Sequence, residues 1–326
     1  VLIIISKVMA QLFSIVNLRL VAGAVLLLVG AVWQGASAAT ATWNGTTSVN
    51  WADAGNWTTS QPSGNDVVLT GAGTHRPTNQ NIASLSINSL TYDASATVGY
   101  KVSGSAVTIA ISSNTLAFVV NSATSTSMEF ACPISFTNNF GFAINNSSFL
   151  ISGNVTIPNH EFHKSGSGSL TISGTVSGTG YLLQVDAGTL TLSGNSNSFT
   201  LSTEFSPQVA SSATLNITGN TNTFNFGGTA FIVAGTLLIS GTGNTWTNTH
   251  NPSLDIQSGG EFDINSATAM GVAANTLKLE SGAIIDNTSG GAITLSNNNP
   301  LQLNNFTFTG TNDLNLGTGA ITNNGN

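Results

Sequence analysis

Gly168-Ser169-Leu170-Thr171-Ile172-Ser173-Gly174 is followed by Gly188-Thr189-Leu190-Thr191-Leu192-Ser193-Gly194, then by Ala213-Thr214-Leu215-Asn216-Ile217-Thr218-Gly219 and Gly235-Thr236-Leu237-Leu238-Ile239-Ser240-Gly241. These are four versions of one unit, returning at irregular steps of roughly 20 to 25 residues. A unit of this length, built on one short alternating strand, cannot bury its apolar face alone, and stacking it on its neighbours makes a solenoid.

The pattern extends outward in both directions. Before it come Leu85 with Ile87, residues 90–92, Tyr100-Lys101-Val102, Val107-Thr108-Ile109-Ala110-Ile111 and Phe149-Leu150-Ile151. After it come Leu254-Asp255-Ile256, Phe262-Asp263-Ile264, Leu277-Lys278-Leu279-Glu280, Ile293-Thr294-Leu295, Leu301-Gln302-Leu303 and Leu314-Asn315-Leu316. Alternation over a few residues bounded by Gly, Ser and Asn is the signal of a half-buried strand, and no helical period competes with it. Asn-rich turns at 195–197, 220–225 and 297–299 suit left-handed corners and stacked amide ladders. Wound at about 22 residues per coil, residues 80–326 give roughly eleven coils and a rod of about 50 Å. The expected fold is all-β, a parallel β-helix. A propeller would repeat at about 40 residues, and a sandwich would not repeat its sequence.

Composition bounds the function. Only 6% of the 326 residues are charged, while 40% are hydrophobic, so the polar surface is made of Ser, Thr and Asn, as in an extracellular β-rich protein. Arg19 precedes a weakly apolar stretch over 20–33, and the small residues Ala36 and Ala38 match a signal-peptidase site. The stretch is short for a membrane span, so residues 1–38 are expected to be a cleaved secretory signal, with a retained transmembrane anchor as the alternative. The chain begins with Val, and a start at Met9 would leave a signal of ordinary length. Without the signal, the basic residues are Arg76, Lys101, Lys164 and Lys278 against all 13 acidic ones, a formal charge of −9, which argues against nucleic acid. Cys132 stands alone, so neither an intramolecular disulfide nor a cysteine zinc site is expected.

Three of the five tryptophans, Trp43, Trp51 and Trp57, crowd into residues 39–80, which reads as an N-terminal cap ahead of β-helix repeats over 81–326. Asp53 and Asp66 lie among them. Cap packing with Asx turns is the stronger reading there, and a sugar-binding module the other.

The remaining polar clusters each set a chemical reading beside a structural one. In His160-Glu161-Phe162-His163, strand alternation puts Glu161 and His163 on one side and His160 with Phe162 on the other, so the two histidines do not converge on a metal as they would on a helix. Asp255, Glu261, Asp263, Glu280 and Asp286 cluster over adjacent coils and could stack along one face. There they suit solvated surface charge, a Ca²⁺ site, or a polysaccharide lyase with Lys278 as its basic residue. A glycosidase would need two carboxylates facing across a cleft. Outward Thr rows such as Thr189-Leu190-Thr191 would order water only in strict register, which Ser173, Asn216 and Ser240 break.

Lys164-Ser165-Gly166-Ser167-Gly168-Ser169-Leu170-Thr171-Ile172-Ser173-Gly174 resembles the Lys-x-Gly-x-Gly-x-Leu-x-Leu-x-Gly core of the autotransporter-associated β-strand repeat. Residues 43–69 resemble the Trp-rich N-terminus common in such proteins of environmental bacteria, and 84–109 their first coils. The resemblance covers most of the chain after the signal and implies a right-handed β-helix exported to the cell surface, passenger-like, with no activity attached. It departs from the pattern at the end: the sequence stops on a repeat-like Gly317-Thr318-Gly319-Ala320-Ile321-Thr322 without a barrel, sorting signal or cap, so truncation or an anchor elsewhere is expected. The expected function is therefore that of a secreted structural or adhesive surface protein, not an enzyme. Its expected partners are surface glycans or receptors on host or neighbouring cells; no cofactor, metal or catalytic residue is expected, and a membrane is expected to be met only through the signal or a missing C-terminal anchor. The alternatives are a β-helical lyase or glycosidase and a sugar-binding module.

Overall fold

Leu and Ile at alternate positions of each repeat point one way, and the Ser and Thr between them point the other. Stacking identical units then lays apolar on apolar and backbone on backbone. The computed structural model describes residues 38–96, 99–111, 116–121, 128–201 and 205–324, and it has this arrangement. The expectations for a signal and for Met9 as the start fall on residues outside the described ones, apart from Ala38.

Among the described residues all pairings between strands are parallel, apart from a single antiparallel bridge of Trp43 with Trp57, and the coils contribute to three faces. Face three is an eleven-stranded sheet running from Thr78–Gln80 to Thr307–Phe308. It contains the four quoted repeats in register: Leu170 pairs with Leu190, Leu190 with Leu215, and Leu215 with Leu237. Face two carries Leu85–Ile87, Val107–Ile109, Ile134–Phe136 and, further on, Ser198–Leu201, Thr223–Asn225 and Thr245–Thr247. Face one begins with Thr40–Trp43 on Asp66–Leu69 and ends with Leu301–Leu303 on Ile321–Asn323. In two adjacent coils a single long strand, Val155–Ser165 or Val176–Val185, turns the corner from face two to face one, with register shifts after Pro158 and His160.

The parallel β-helix is therefore found, and the segment expected as the N-terminal cap contributes strands to the stack. Thr78–Gln80 pairs with Lys101–Gly104, and Thr40–Trp43 opens face one. The three tryptophans lie inside the first coil. Trp57 meets Trp43 and Trp51 edge to face at 5.1 and 5.3 Å between ring centroids. Each indole N–H has an acceptor: the carbonyl of His75, the Thr78 hydroxyl and the carbonyl of Trp51.

The interior is one continuous column. Leu170, Leu190, Leu215 and Leu237 are fully buried, and a large apolar side chain so placed is worth about 1.5–3 kcal/mol. Phenylalanines fill the wider coils, with Phe136 on Phe140 at 3.7 Å and Phe118 on Phe142 at 5.1 Å. The closing glycine of each repeat is a matter of space. A Cβ on Gly174, Gly194, Gly219 or Gly241 would lie about 2 Å from the carbonyl oxygen of the glycine one coil earlier (2.1, 2.2, 1.9 and 1.8 Å), so coils can approach at this corner only without side chains.

The same corner carries the amide ladder. The Asn197 N–H donates to Asn222 Oδ1 (2.9 Å) and the Asn222 N–H to Asn244 Oδ1 (2.9 Å). Their side-chain amides turn back onto the carbonyls of Gly194, Gly219 and Gly241. The left-handed residues in these turns are Ser196 (φ 58°), Thr221 (φ 56°) and Gly243 (φ 67°), not the flanking asparagines, whose side chains are instead occupied by the ladder.

Candidate functional site

The strand Phe140–Ile144 reads Phe-Gly-Phe-Ala-Ile, and its outward Gly141 leaves a gap in face one. Gly141 pairs with Leu116 on one side and His163 on the other. The register slips between Gly141 and Phe142, and Leu116 is turned outward, 40% exposed. A Cβ on Gly141 would sit 3.0 Å from Leu116 Cδ2, so the bare backbone is the floor of a cleft of about 380 Å³.

Side chains from two further coils stand around that floor. Glu161 and His163, alternate residues of one strand, project to the same side, as alternation requires, and His163 Nε2 lies 3.4 Å from Glu161 Oε2. The other ring nitrogen, Nδ1, is 3.8 Å from Asp186 Oδ2, one coil further on. Asp186 is steadied by Gln184, whose amide donates to Oδ1 at 2.5 Å. Asn139 accepts the Glu161 N–H at 3.1 Å, and Ser165 completes the wall. The imidazole thus lies between two carboxylates, its nitrogens facing apart. No group of three His, Cys, Asp or Glu able to hold a metal occurs among the described residues. His160 sits at the bulged corner beside Gly180, away from the pair, and burial pushes its pKa down.

Lys164 was expected only as the first residue of a repeat. It is fully buried, on the inner side with Phe162, and its amine donates to the carbonyls of Ser165 (2.9 Å), Gly166 (2.8 Å) and Ala187 (2.9 Å). Burial pulls its pKa down to about 8, against the pull of the Asp186 charge in the other direction. The lysine ties the turn from face one to face three in its own coil to the same turn of the next. Gly166 supplies the left-handed φ of 75° that this turn needs.

The acidic residues do not stack along one face, which corrects the expectation. The turn between Ile256 and Glu261 carries the chain from face one to face three. Asp255 and Lys278 therefore lie on face one, with Glu280 where the chain leaves it, and Glu261, Asp263 and Asp286 lie on face three. Lys278 is ion-paired with Glu280 and lies 3.7 Å from Asp255. Burial raises the Asp255 pKa, and Lys278 opposes the shift. The Lys278, Asp255 and Asp263 set imagined for a lyase is thus divided between two faces.

On face three, Asp263 pairs in register with Asp286. Burial, then the charges of Glu261 and Asp286, push the Asp263 carboxyl up to about 6. Burial alone would raise Asp286 too, but the hydroxyls of Thr311 and Thr309 and the N–H groups of Thr311 and Asn287 hold it down at about 2.

The other singled-out residues have structural partners. Asp53 accepts from the Ser48 hydroxyl, and Asp66 accepts from Asn88 and Ser89 of the next coil, both at 2.6 Å. Arg76 covers the Tyr100 ring at 5.1 Å. Trp43 and Trp51 are wholly buried and offer no ring face to a sugar. The outward Thr rows are interrupted in register: Thr171 and Thr191 are followed by Asn216, Leu238 and Asp263. Cys132 is buried, its thiol pushed up to about 12 by burial.

The cleft was missed in the sequence because its walls come from coils about 22 residues apart. Its one local signal is a glycine inside an otherwise aromatic strand, which marks a gap or a close approach. No known protein family, curated protein or solved structure matches the chain.

Proposed function

We propose that this chain is an exported structural and adhesive β-solenoid, passenger-like, displayed at a bacterial cell surface, where it meets glycans or receptors of neighbouring cells without transforming them. The observation that carries this reading is the axial ladder through Asn197, Asn222 and Asn244, backed by the Lys164 clamp. These buried amides and the buried amine are committed to joining one coil to the next, as a stalk requires. A chain with only 6% charged residues, its polar surface carried by Ser, Thr and Asn, also suits the exterior of a cell. The resemblance to the autotransporter-associated repeat supports the same reading, because Lys164, Gly166 and the stacked glycines have building roles in the coil.

A glycosidase is the second reading, and one observation favours it: Glu161 and Asp186 line the same cleft. Against it, His163 lies between their carboxylates, the place a sugar's reactive carbon or an attacking water needs.

The test is accessibility on intact cells. The full chain, epitope-tagged at its C-terminus and expressed in a bacterial host, should be labelled by antibody and shaved by added protease before lysis. Labelling only after lysis would overturn the surface reading.

A further inference from the structure

Six large apolar side chains stand exposed among the described residues; Leu116 lines the cleft, and Tyr181 and Phe205 lie on the two coils that follow the coil of Glu161. Tyr181 and Phe205 each lie three residues before one of the register partners Gln184 and Gln208, so both belong to the connection from face two to face one on adjacent coils, which is three residues longer in the coil of Phe205 because Gly180 pairs with Leu201. The pairs His160 with Gly180 and Phe162 with Leu183 bracket Tyr181 against the coil of Glu161. Tyr181 is 38% and Phe205 44% exposed. The trail from Leu116 through Gly141, Glu161 with His163, and Tyr181 to Phe205 climbs one coil at a time, at about 4.8 Å per step and about 20 Å in all.

We propose that this trail is a binding groove for a neutral oligosaccharide lying along the rod axis, with one sugar residue seated in the cleft over Gly141. The step between coils is close to the length of one sugar residue in an extended chain, so successive rings meet successive coils. Tyr181 and Phe205 offer ring faces to the C–H faces of sugars, and Leu116 does the same inside the cleft. Glu161, Asp186, His163 and Ser165 provide acceptors and donors around one point, the partners that a ring of hydroxyls needs. An anionic sugar is disfavoured by the two carboxylates, and the amine of Lys164 gives no relief because it is turned inward onto carbonyls. A volume of about 380 Å³ is in the range of small-ligand sites. The inference rests on the adhesive reading for its biological role and names the partner's chemistry.

The test is saturation-transfer NMR and calorimetry on the full chain with cello-, xylo-, manno- and malto-hexaose, and with oligogalacturonate and chitosan oligomers for contrast. At least one neutral hexaose should bind. Tyr181→Ala and Phe205→Ala, both at exposed positions, should each weaken it about tenfold while leaving the melting temperature unchanged. Gly141→Val, which fills the floor, should abolish it. Absence of binding to every neutral hexaose, binding indifferent to Tyr181→Ala and Phe205→Ala, or preference for the uronate or the amine would each overturn the proposal. The two readings fail separately. A chain found only inside cells defeats the surface role and leaves the groove standing, whereas a surface chain whose adhesion ignores Tyr181→Ala defeats the groove alone.

Discussion

Asn222→Ala tests the ladder at its centre. Asn222 is fully buried; its Oδ1 accepts the Asn197 N–H at 2.9 Å and its Nδ2 donates to the Gly219 carbonyl at 2.7 Å. Alanine leaves both backbone groups buried and unpaired, at about 1–3 kcal/mol each, so the expected loss is about 4 kcal/mol. The bond from the Asn222 N–H to Asn244 Oδ1 survives, because it uses backbone that alanine keeps. Asn220 is the control: its Oδ1 accepts the Thr242 N–H at 2.8 Å, but the pair is exposed and water replaces the amide, so Asn220→Ala is expected to cost under about 1 kcal/mol. Equilibrium urea unfolding followed by tryptophan fluorescence reads the difference, since Trp246 pairs in register with Phe224 next to the ladder. The midpoint should fall sharply for Asn222→Ala and little for Asn220→Ala, with unchanged slopes. An Asn222→Ala loss within about 0.5 kcal/mol of wild type, or no larger than that of Asn220→Ala, would refute the claim that buried amides bind the coils together.

Two further outcomes follow from buried charges. Asp263 titrates at about 6 in the fold against 3.8 as a free side chain. The folded state therefore holds the extra proton between these values, and stability falls as pH rises through that window, by about 3 kcal/mol from this group, then levels off. Asp263→Asn should flatten that part of the curve and raise the melting temperature at pH 7 more than at pH 4; equal shifts at both would contradict the assignment. Lys164→Met removes the donor to three carbonyls and should cost about 3 kcal/mol in urea unfolding. Lys101→Met, whose ion pair with Glu129 at 3.1 Å lies at the surface, should cost under about 1 kcal/mol.

The solenoid was legible because its signal is local and repeated. Leu170, Leu190, Leu215 and Leu237 are recognisable as one position from the sequence, and they pair in that register. The Asn-rich turns also announced their ladders, and the left-handed angle fell to Ser196 and Thr221 in two of them and to an asparagine, Asn298 (φ 49°), in the third. What the sequence concealed is the assignment of residues to faces. Asp255 and Asp263 are close in sequence and both alternate outward, but an intervening corner puts them on different faces, and corners of variable length carry no fixed mark. Lys164 shows a rule left unextended: the alternation that separates Glu161 and His163 from Phe162 also places Lys164 inward. Asp186 reaches His163 only because one coil spans the distance between them, which no local pattern records.

The most direct test of the functional account is to incubate the purified chain with the neutral hexaoses and a panel of plant and bacterial polysaccharides, and to follow the sugars by mass spectrometry over days. The account predicts that bound sugars are recovered intact, with neither shortened nor unsaturated products. Shortened products that disappear with Glu161→Gln or Asp186→Asn would contradict it and make the cleft the active site of a glycosidase.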